Sequence, residues 1–243
     1  MDLRGRRALV TGAGHRVGQA IAVALGGRGM RVAAHYNSHA DGARDTVRAI
    51  ESAGGSGEIF GADLTKPENA HRLIGDVVGK FGGLDVLVNS AAVMIRTPFG
   101  EITPEQWDGI MALNLRAPFF LTQAAAPHLR QSHGVVVNIA DLAAFETWPG
   151  YLPHGLSKAG VVYMTRALAR VLAPEVRVAG IAPGTVLLPD NWSDADEERL
   201  RRTTPLQRTG TPADVTATVL FILDSDYLTG ETIIVDGGRH VRA

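Results

Sequence analysis

The stretch that decides the fold lies near the N-terminus and reads Ala8-Leu9-Val10-Thr11-Gly12-Ala13-Gly14-His15-Arg16-Val17-Gly18. A short apolar run, suited to a buried strand, passes into a turn with several glycines, and a helical pattern follows it. Glycine lets another group approach the backbone closely, and the free N–H groups at a helix N-terminus attract an anion. The stretch therefore predicts a strand, a tight turn and a helix, with a candidate anion site at the turn.

The same alternation continues along the chain. Further apolar runs occupy residues 31–34, 58–60, 84–88, 134–139, 176–181 and 232–235, and helical patterns occupy residues 17–28, 40–53, 67–81, 104–132, 151–173 and 212–223. Pro118 is expected to divide the pattern over 104–132 into two helices. Strands that alternate with helices predict an α/β fold, a doubly wound parallel sheet of about seven strands with helices on both faces, Rossmann-like. Ligands of such sheets bind beyond the carboxyl ends of the strands.

Composition excludes several classes of protein. The chain has 243 residues and no linker or repeat, which predicts one domain over 1–243. It has no Cys, which excludes disulfides, Cys-bound zinc and thiol catalysis, and no metal site is expected. A net charge of −1 argues against nucleic acid or an anionic membrane as the main partner. The first apolar run is too short for a signal peptide, and no apolar stretch is long enough to span a membrane, so we expect a cytoplasmic protein.

The glycine turn and the end of the second strand suggest a dinucleotide. The spacing G-x-G-x-x-x-G over 12–18 is one residue longer than the commonest dinucleotide fingerprint, so a plain tight turn is the alternative. The second strand ends in residues 35–39, His-Tyr-Asn-Ser-His, without the acid that binds the ribose of NAD. Arg16 could instead reach the 2′-phosphate of NADP, or it could be an ordinary surface arginine.

Taken together, these residues resemble the short-chain dehydrogenase/reductase family over nearly the whole chain. Thr11, Gly12 and Gly18 match the family motif T-G-x-x-x-G-x-G, but Arg16 replaces its middle glycine. The resulting T-G-x-x-x-R-x-G, like the strand end at residues 35–37, is similar to the NADP-dependent pteridine reductases. The resemblance implies an NADP-dependent oxidoreductase.

Later motifs extend the resemblance. Asn89-Ser90-Ala91-Ala92 is a degraded form of the family's N-N-A-G, and Asn114 matches the helix asparagine that supports a proton-relay water. Pro183-Gly184-Thr185 matches the loop that touches the nicotinamide carboxamide, and Val235-Asp236-Gly237-Gly238 matches the end of the last strand.

Two departures affect the expected catalytic residues. Asp141 stands where the family has its catalytic Ser, as it does in pteridine reductases. The family's Y-x-x-x-K supplies Lys158, but its Tyr is replaced by His154. Tyr151, His154 and Lys158 are spaced at helical intervals and are expected to share one helix face. His154 could act as the acid, since an imidazole titrates near neutrality. Alternatively it is a relic at a site that lost catalysis. Tyr151 could be a replacement acid or part of an aromatic substrate wall. Asp141 could donate a proton, orient the substrate or simply cap the following loop.

The resemblance also implies a variable substrate lid over about 186–205, in which Leu187, Leu188 and Trp192 could cover the substrate and the acidic residues form a short helix. Two sets of candidate residues follow. The candidate catalytic residues are Asn114, Asp141, Tyr151, His154 and Lys158. The candidate cofactor-binding residues are Gly12, His15, Arg16, Val17, His35, Tyr36, Asn37, Ser38, Asp63, Leu64, Asn89, Ala91, Lys158, Pro183, Gly184 and Thr185.

Three functions stay open. The leading hypothesis is an NADPH-dependent reductase of a small carbonyl compound or of an imine-like ring, with a pterin among the options. The alternative is a catalytically impaired NADP(H)-binding protein that acts as a sensor or partner, and a purely structural paralogue is the third. The family resemblance also implies a homotetramer or dimer, formed through the helical patterns at 104–132 and 151–173.

Overall fold

Seven parallel strands form one sheet in the computed structural model of the chain, which describes residues 2–187 and 193–241. The strands are β1 (Arg7–Val10), β2 (Arg31–Tyr36), β3 (Ser56–Gly61), β4 (Val86–Asn89), β5 (Val135–Ile139), β6 (Arg177–Pro183) and β7 (Thr232–Val235). Their order is β3-β2-β1-β4-β5-β6-β7, and every neighbouring pair is parallel. The prediction of a doubly wound parallel sheet is confirmed.

Helices cover both faces of the sheet. They are α1 (Arg16–Gly27), α2 (Ala40–Ser52), α3 (Glu68–Phe81), α4 (Pro104–Met111), α5 (Ala117–Ser132), α6 (Leu152–Leu172), α7 (Asp194–Thr203) and α8 (Pro212–Asp224). Within β1, Ala8 and Val10 belong to a core shared with α1 and α8, whereas Leu9 belongs to a core shared with α3 and α5. Because alternate side chains enter two different cores, the strands read as unbroken apolar runs.

The helical path over residues 104–132 is not divided by Pro118 as expected. Instead α4 and α5 are joined by a π turn, Ala112–Arg116, in which the N–H of Ala117 donates to the carbonyl of Ala112. Pro118 follows at the start of α5. A widened turn accommodates the missing N–H of proline without ending the helix.

The predicted lid is described only in part. The acidic segment forms α7, which Ser193 caps by accepting the N–H of Asp196. Residues 188–192, among them Leu188 and Trp192, lie outside the described residues. Among the helices of the described ranges, none has the length and hydropathy that crossing a membrane requires.

Candidate functional site

A cavity of about 960 Å³ opens at the edge of the sheet where the strands end. Of the candidate cofactor-binding residues, it is lined by Gly12, His15, Arg16, Val17, His35, Tyr36, Asn37, Ser38, Asp63, Leu64, Ala91, Lys158, Pro183, Gly184 and Thr185. Of the candidate catalytic residues, it is lined by Asp141, Tyr151, His154 and Lys158. The structure therefore brings nearly all of them together, and Asn89 and Asn114 are the two that stand outside the cavity wall.

The glycine turn after β1 packs against the end of β4. Gly12 has φ +68°, and a Cβ there would lie 2.9 Å from the Cα of Ala91. A Cβ on Gly18 would overlap the carbonyl oxygen of Gly12. Thr11 Oγ1 accepts the N–H groups of Ser90 (2.9 Å) and Ala91 (3.0 Å), which fixes the two loops to each other. The turn thus leaves the floor of the cavity bare of side chains in front of the N-terminus of α1.

His35 supports the glycine turn from below. Its Nδ1 accepts the N–H of Gly12 at 3.1 Å, so its Nε2–H donates to the carbonyl of Ala62 at 2.9 Å. Burial lowers the pKa of His35 to about 4, although the bond to Ala62 opposes that shift, and the ring is neutral. Both nitrogens are used on the backbone, so His35 shapes the turn, and its role as a cofactor-binding residue stays a prediction.

Arg16 points in a direction that the sequence analysis did not anticipate. Its Nη2 donates to the carbonyl of Leu187 at 3.1 Å, in the loop after β6. Strands β4 and β5 separate β6 from β1, whereas β2 lies on the other side of β1. The guanidinium therefore reaches toward the lid side of the cavity and away from the end of β2, where a 2′-phosphate was expected to meet it.

Two histidines stack at the end of β2. His15 and His39 precede the first residues of α1 and α2, neither caps its helix with its side chain, and their ring centroids lie 5.0 Å apart. Burial lowers the pKa of His15, and the charges of His39 and Arg16 lower it further. The sequence analysis missed His39, although its position just before a predicted helix was a usable signal.

The side chain of Asn89 faces the core and does not line the cavity, and its role as a cofactor-binding residue stays a prediction. Its Nδ2 donates to Asn138 Oδ1 at 2.9 Å and lies 3.2 Å from Thr122 Oγ1, and Asn138 Nδ2 donates to Thr165 Oγ1 at 3.0 Å. These buried side chains join β4 and β5 to the helices α5 and α6. Buried amides require such partners, so the network stabilises the fold behind the site.

His154 lines the cavity with a ring nitrogen that has no hydrogen-bond partner among the described residues. Its side chain is 3% exposed, the nitrogen is Nε2, and Asp141 Oδ2 lies 3.6 Å from it. On the other side, His154 Nδ1 lies 3.2 Å from the carbonyl of Val93 and 3.3 Å from Asn114 Nδ2.

Asn114 decides which nitrogen of His154 carries the proton. Its Oδ1 accepts the N–H of Val93 (2.8 Å), and its Nδ2 donates to the Val93 carbonyl (2.9 Å) and to Ser157 Oγ (3.1 Å). An amide has two N–H hydrogens, and both are used in this way. We therefore assign the Nδ1–H of His154 as a donor to Val93, so that Nε2 carries a proton only in the imidazolium.

Asp141 has two roles in this geometry. Its Oδ1 accepts the N–H of Ala143 at 2.8 Å and caps the short 3₁₀ turn Leu142–Ala144. The cap fixes the carboxylate, and its Oδ2 is the oxygen that lies beside His154. Capping and a place in the site, which were alternatives for Asp141, are therefore compatible.

Lys158 lies one helical turn beyond His154 and is buried. Its Nζ donates to the carbonyl of Ile139 at 2.8 Å. Burial lowers the pKa of Lys158 to about 8, although the nearby charge of Asp141 opposes that shift. The ammonium is held at the end of β5, on the same wall of the cavity as Asp141.

Tyr151 is not part of the helix face that the spacing predicted. Helix α6 begins at Leu152, and Tyr151 precedes it with φ −141° and ψ 34°. Its ring contacts Trp148 edge to face, with centroids 6.3 Å apart. The helical spacing argument therefore holds for His154 and Lys158 alone, and Tyr151 stands in an aromatic wall. Arg239, which the sequence analysis did not single out, also lines the cavity.

The chain is similar in sequence to known proteins over nearly its whole length. A family model described as "Enoyl-(Acyl carrier protein) reductase" matches residues 12–240. The chain is 35% identical over 246 residues to 3beta-hydroxysteroid dehydrogenase 1 of Eggerthella lenta, covering 98% of this chain and 94% of that protein. It is 33% identical over 242 residues to 3-oxoacyl-(acyl-carrier-protein) reductase FabG of Staphylococcus aureus, covering 97% and 98%.

A solved structure gives the same result. The crystal structure of a "putative short-chain alcohol dehydrogenase" from Sinorhizobium meliloti 1021 matches with a TM-score of 0.94 and 35% identity, covering 100% of this chain and 99% of that one. With the family model and the relatives at similar identity, these matches show that the chain belongs to the short-chain dehydrogenase/reductase family, oxidoreductases that typically use a nicotinamide cofactor.

Proposed function

We propose that the protein is an NADPH-dependent reductase of a carbonyl compound or of an imine-like ring, a pterin-like ring included. One observation carries the proposal: a buried imidazole nitrogen, His154 Nε2, faces the cavity without a hydrogen-bond partner in the described ranges, with Asp141 3.6 Å away. A histidine placed in this way can deliver a proton to a substrate atom.

The cavity fits a nicotinamide dinucleotide with a 2′-phosphate. The bare glycine floor in front of α1 suits a pyrophosphate, and the end of β2 offers His15 and His39 rather than a carboxylate. A dianionic phosphate beside two imidazoles and two helix N-termini is electrostatically favoured. When bound, the reduced cofactor supplies the hydride.

The side chains of this chain supply the proton and the positioning. The carbonyl of Val93 holds His154 Nδ1, which aims Nε2 at the substrate oxygen or nitrogen. Asp141 Oδ2 lies beside the ring, 3.6 Å from Nε2. Lys158, near the end of β5, is placed to hold a ribose hydroxyl of the cofactor. Trp148 and Tyr151 form a wall for a flat or apolar substrate.

Replacement of His154 tests the proposal. NADPH oxidation is measured with a panel of ketones, quinones and pterins for the parent, His154→Phe and His154→Tyr. We expect His154→Phe to lose roughly 10²–10⁴-fold in the chemical step, because phenylalanine keeps a ring but transfers no proton. Activity of the parent should fall as pH rises, since only the imidazolium carries the Nε2 proton. His154→Tyr should shift that fall in activity to higher pH, because a phenol ionises near 10.

Binding measurements separate this function from the alternative. Both variants must bind NADPH as the parent does, which excludes a folding defect. His154→Phe that turns over as fast as the parent would show that His154 is not the acid. A parent that binds NADPH but reduces nothing, while His154→Tyr gains activity, would favour the cofactor-binding sensor, which the histidine at the family's Tyr position suggests.

We also propose that the protein is a homo-oligomer that pairs through the outer face of α4, α5 and α6. This face carries an apolar groove of about 840 Å³, with Phe119 44% and Tyr163 75% exposed. Exposed apolar patches of this kind mark interfaces. Sedimentation at micromolar concentration should show a dimer or tetramer, and Tyr163→Glu should weaken the assembly at least tenfold. Tyr227→Glu, at a fully exposed position outside this face, is the matched control. A monomeric parent would contradict the proposal.

A further inference from the structure

Arg239 places a largely buried guanidinium in the wall of the cavity. Its side chain is 18% exposed, and its buried Nε has no hydrogen-bond partner among the described residues. The nearest acid in those ranges is Glu146, whose Oε2 lies 3.6 Å from that Nε, beyond hydrogen-bond distance. A guanidinium carries five N–H donors and cannot lose its charge, so a buried one calls for acceptors.

Glu146 does not satisfy that demand. The same Oε2 accepts the indole N–H of Trp148 at 3.1 Å, so the hydrogen bond of this carboxylate oxygen goes to Trp148 and not to Arg239. Glu146 is itself mostly buried, with 19% of its side chain exposed. Glu146 therefore stays close enough to pair with Arg239 electrostatically, while Arg239 Nε is left without a hydrogen-bond acceptor among the described residues.

The backbone at Arg239 is held in place by Asp236. The carboxylate of Asp236 accepts the N–H groups of Gly238 (2.8 Å) and His240 (2.7 Å) and also contacts His240 Nδ1 (2.8 Å). These bonds fix the chain on both sides of Arg239. Glu146 and Trp148 lie in the loop between Asp141 and Tyr151, so Arg239 packs on the wall that carries the proton carrier rather than at the adenosine end.

We propose that Arg239 binds a carboxylate of the substrate, so that the substrate is an acid-bearing carbonyl or imine-like compound with a flat or apolar body against Trp148 and Tyr151. This inference rests on the proposed reductase function. A guanidinium fork matches a carboxylate with two parallel hydrogen bonds, and such charge-assisted bonds are stronger than neutral ones. Loss of one charge-assisted contact lowers affinity by about tenfold or more.

Matched acids and esters test the inference. Calorimetric titration of the NADPH-saturated protein would compare 4-acetylbenzoate with methyl 4-acetylbenzoate, and 2-oxo-4-phenylbutanoate with its methyl ester. We expect at least one acid to bind the parent about tenfold more tightly than its ester. Arg239→Gln should remove that preference and leave the ester within twofold, and Arg239→Lys should retain part of it. Arg96→Gln, which removes an exposed arginine from the same cavity, is the charge control.

Several outcomes would overturn the inference. They are equal binding of acid and ester to the parent, no binding of either acid, an equal effect of Arg96→Gln, or a loss of acid and ester binding together in Arg239→Gln. A joint loss of acid and ester binding would mean that Arg239 has a structural role. If Arg239→Gln does not fold, the comparison of acid with ester binding in the parent and in Arg239→Lys still tests the inference. Acid binding that needs Arg239 without any NADPH oxidation would overturn the reductase function alone. Equal reduction of acid and ester, unchanged in Arg239→Gln, would overturn the inference alone.

Discussion

Asp85, where the strands begin, differs from the charged pairs of the cavity, where the strands end, in how far its charge is satisfied. Where the strands begin, the fully buried carboxylate of Asp85 accepts hydrogen bonds from Arg6 Nη1 (2.7 Å), Arg7 Nε (2.6 Å) and the Arg7 N–H (2.8 Å). Where the strands end, Asp141 Oδ2 lies 3.6 Å from His154 Nε2, and Glu146 lies 3.6 Å from the Nε of Arg239. Charges that hold the fold are satisfied within the chain, whereas those at the site keep capacity for a ligand.

The largest expected effect comes from breaking the satisfied edge. Asp85→Asn should lower the free energy of unfolding by about 3–5 kcal/mol, because it leaves Arg6 and Arg7 without their buried counter-ion. Asp141→Asn keeps an oxygen for the cap on Ala143 and should cost less than about 1 kcal/mol. Urea unfolding of the two variants beside the parent measures the difference. Equal losses would show that the two edges do not differ in this respect.

The same residue should make the parent sensitive to acid. Burial raises the pKa of Asp85, but the hydrogen bonds from Arg7 and Arg6 outweigh it and hold the pKa below its ordinary value. The stabilisation is therefore present above the ordinary aspartate pKa of about 4 and is lost as pH falls below it. The difference in the free energy of unfolding between the parent and Asp85→Asn should shrink as pH falls over that range. A difference that stays constant with pH would contradict a lowered pKa for Asp85.

A smaller effect, of opposite sign, is expected at the open edge. Burial lowers the pKa of Lys158 to about 8, so the folded cofactor-free protein carries a charge that it would hold more easily when unfolded. Lys158→Met should raise the free energy of unfolding at pH 7 by up to about 3 kcal/mol, while NADPH oxidation is lost.

The pH dependence of that gain has a definite sign. The cost of the buried ammonium is complete below pH 8 and is relieved as pH rises toward about 10.5, where the unfolded chain also loses the proton. The advantage of Lys158→Met should therefore disappear between those pH values. Urea titrations at pH 7 and pH 10 measure it, and a variant less stable than the parent at pH 7 would refute this explanation.

The smallest expected effect concerns the choice of cofactor. The parent should bind NADPH about tenfold more tightly than NADH, and the preference should grow as pH falls from about 7.5 to about 5.5. The pKa of His15 is lowered by burial and by the charges of His39 and Arg16, so its ring gains a proton beside the 2′-phosphate only toward acidic pH.

Two variants locate the source of the preference. His39→Phe keeps a ring against His15 but removes a hydrogen-bond donor to the 2′-phosphate. In fluorescence titrations this variant should lose most of the preference for NADPH. Arg16→Ala should change the preference by less than about twofold, because the guanidinium donates to Leu187 on the other side of the cavity. If Arg16→Ala lost more of the preference than His39→Phe, Arg16 would be the residue that binds the 2′-phosphate. Equal binding of NADH and NADPH by the parent would rule out the preference itself.

Periodicity was enough to predict the sheet, its helices and the edge that carries the cavity, because apolar spacing and glycine position are local properties. The direction of individual side chains was not predictable. Asn89 ends β4, and side chains alternate along a strand, so one position decides between the core and the site. Arg16 has a long side chain whose direction depends on a loop 171 residues away, at Leu187. For Tyr151, the exact start of α6 decided whether helical spacing applied.

The π turn at Ala112–Arg116 makes the position of Asn114 depend on the number of residues in this segment. It holds one residue more per hydrogen-bonded ring than an α-helical turn, and Asn114 lies within it. Deleting a single residue there would give a regular helix with better hydrogen bonds but would rotate Asn114 by about 100° about the axis. Its amide would leave Val93, and the tautomer of His154 would no longer be set. Substitutions of the other residues of the turn should therefore be tolerated far better than a change in their number.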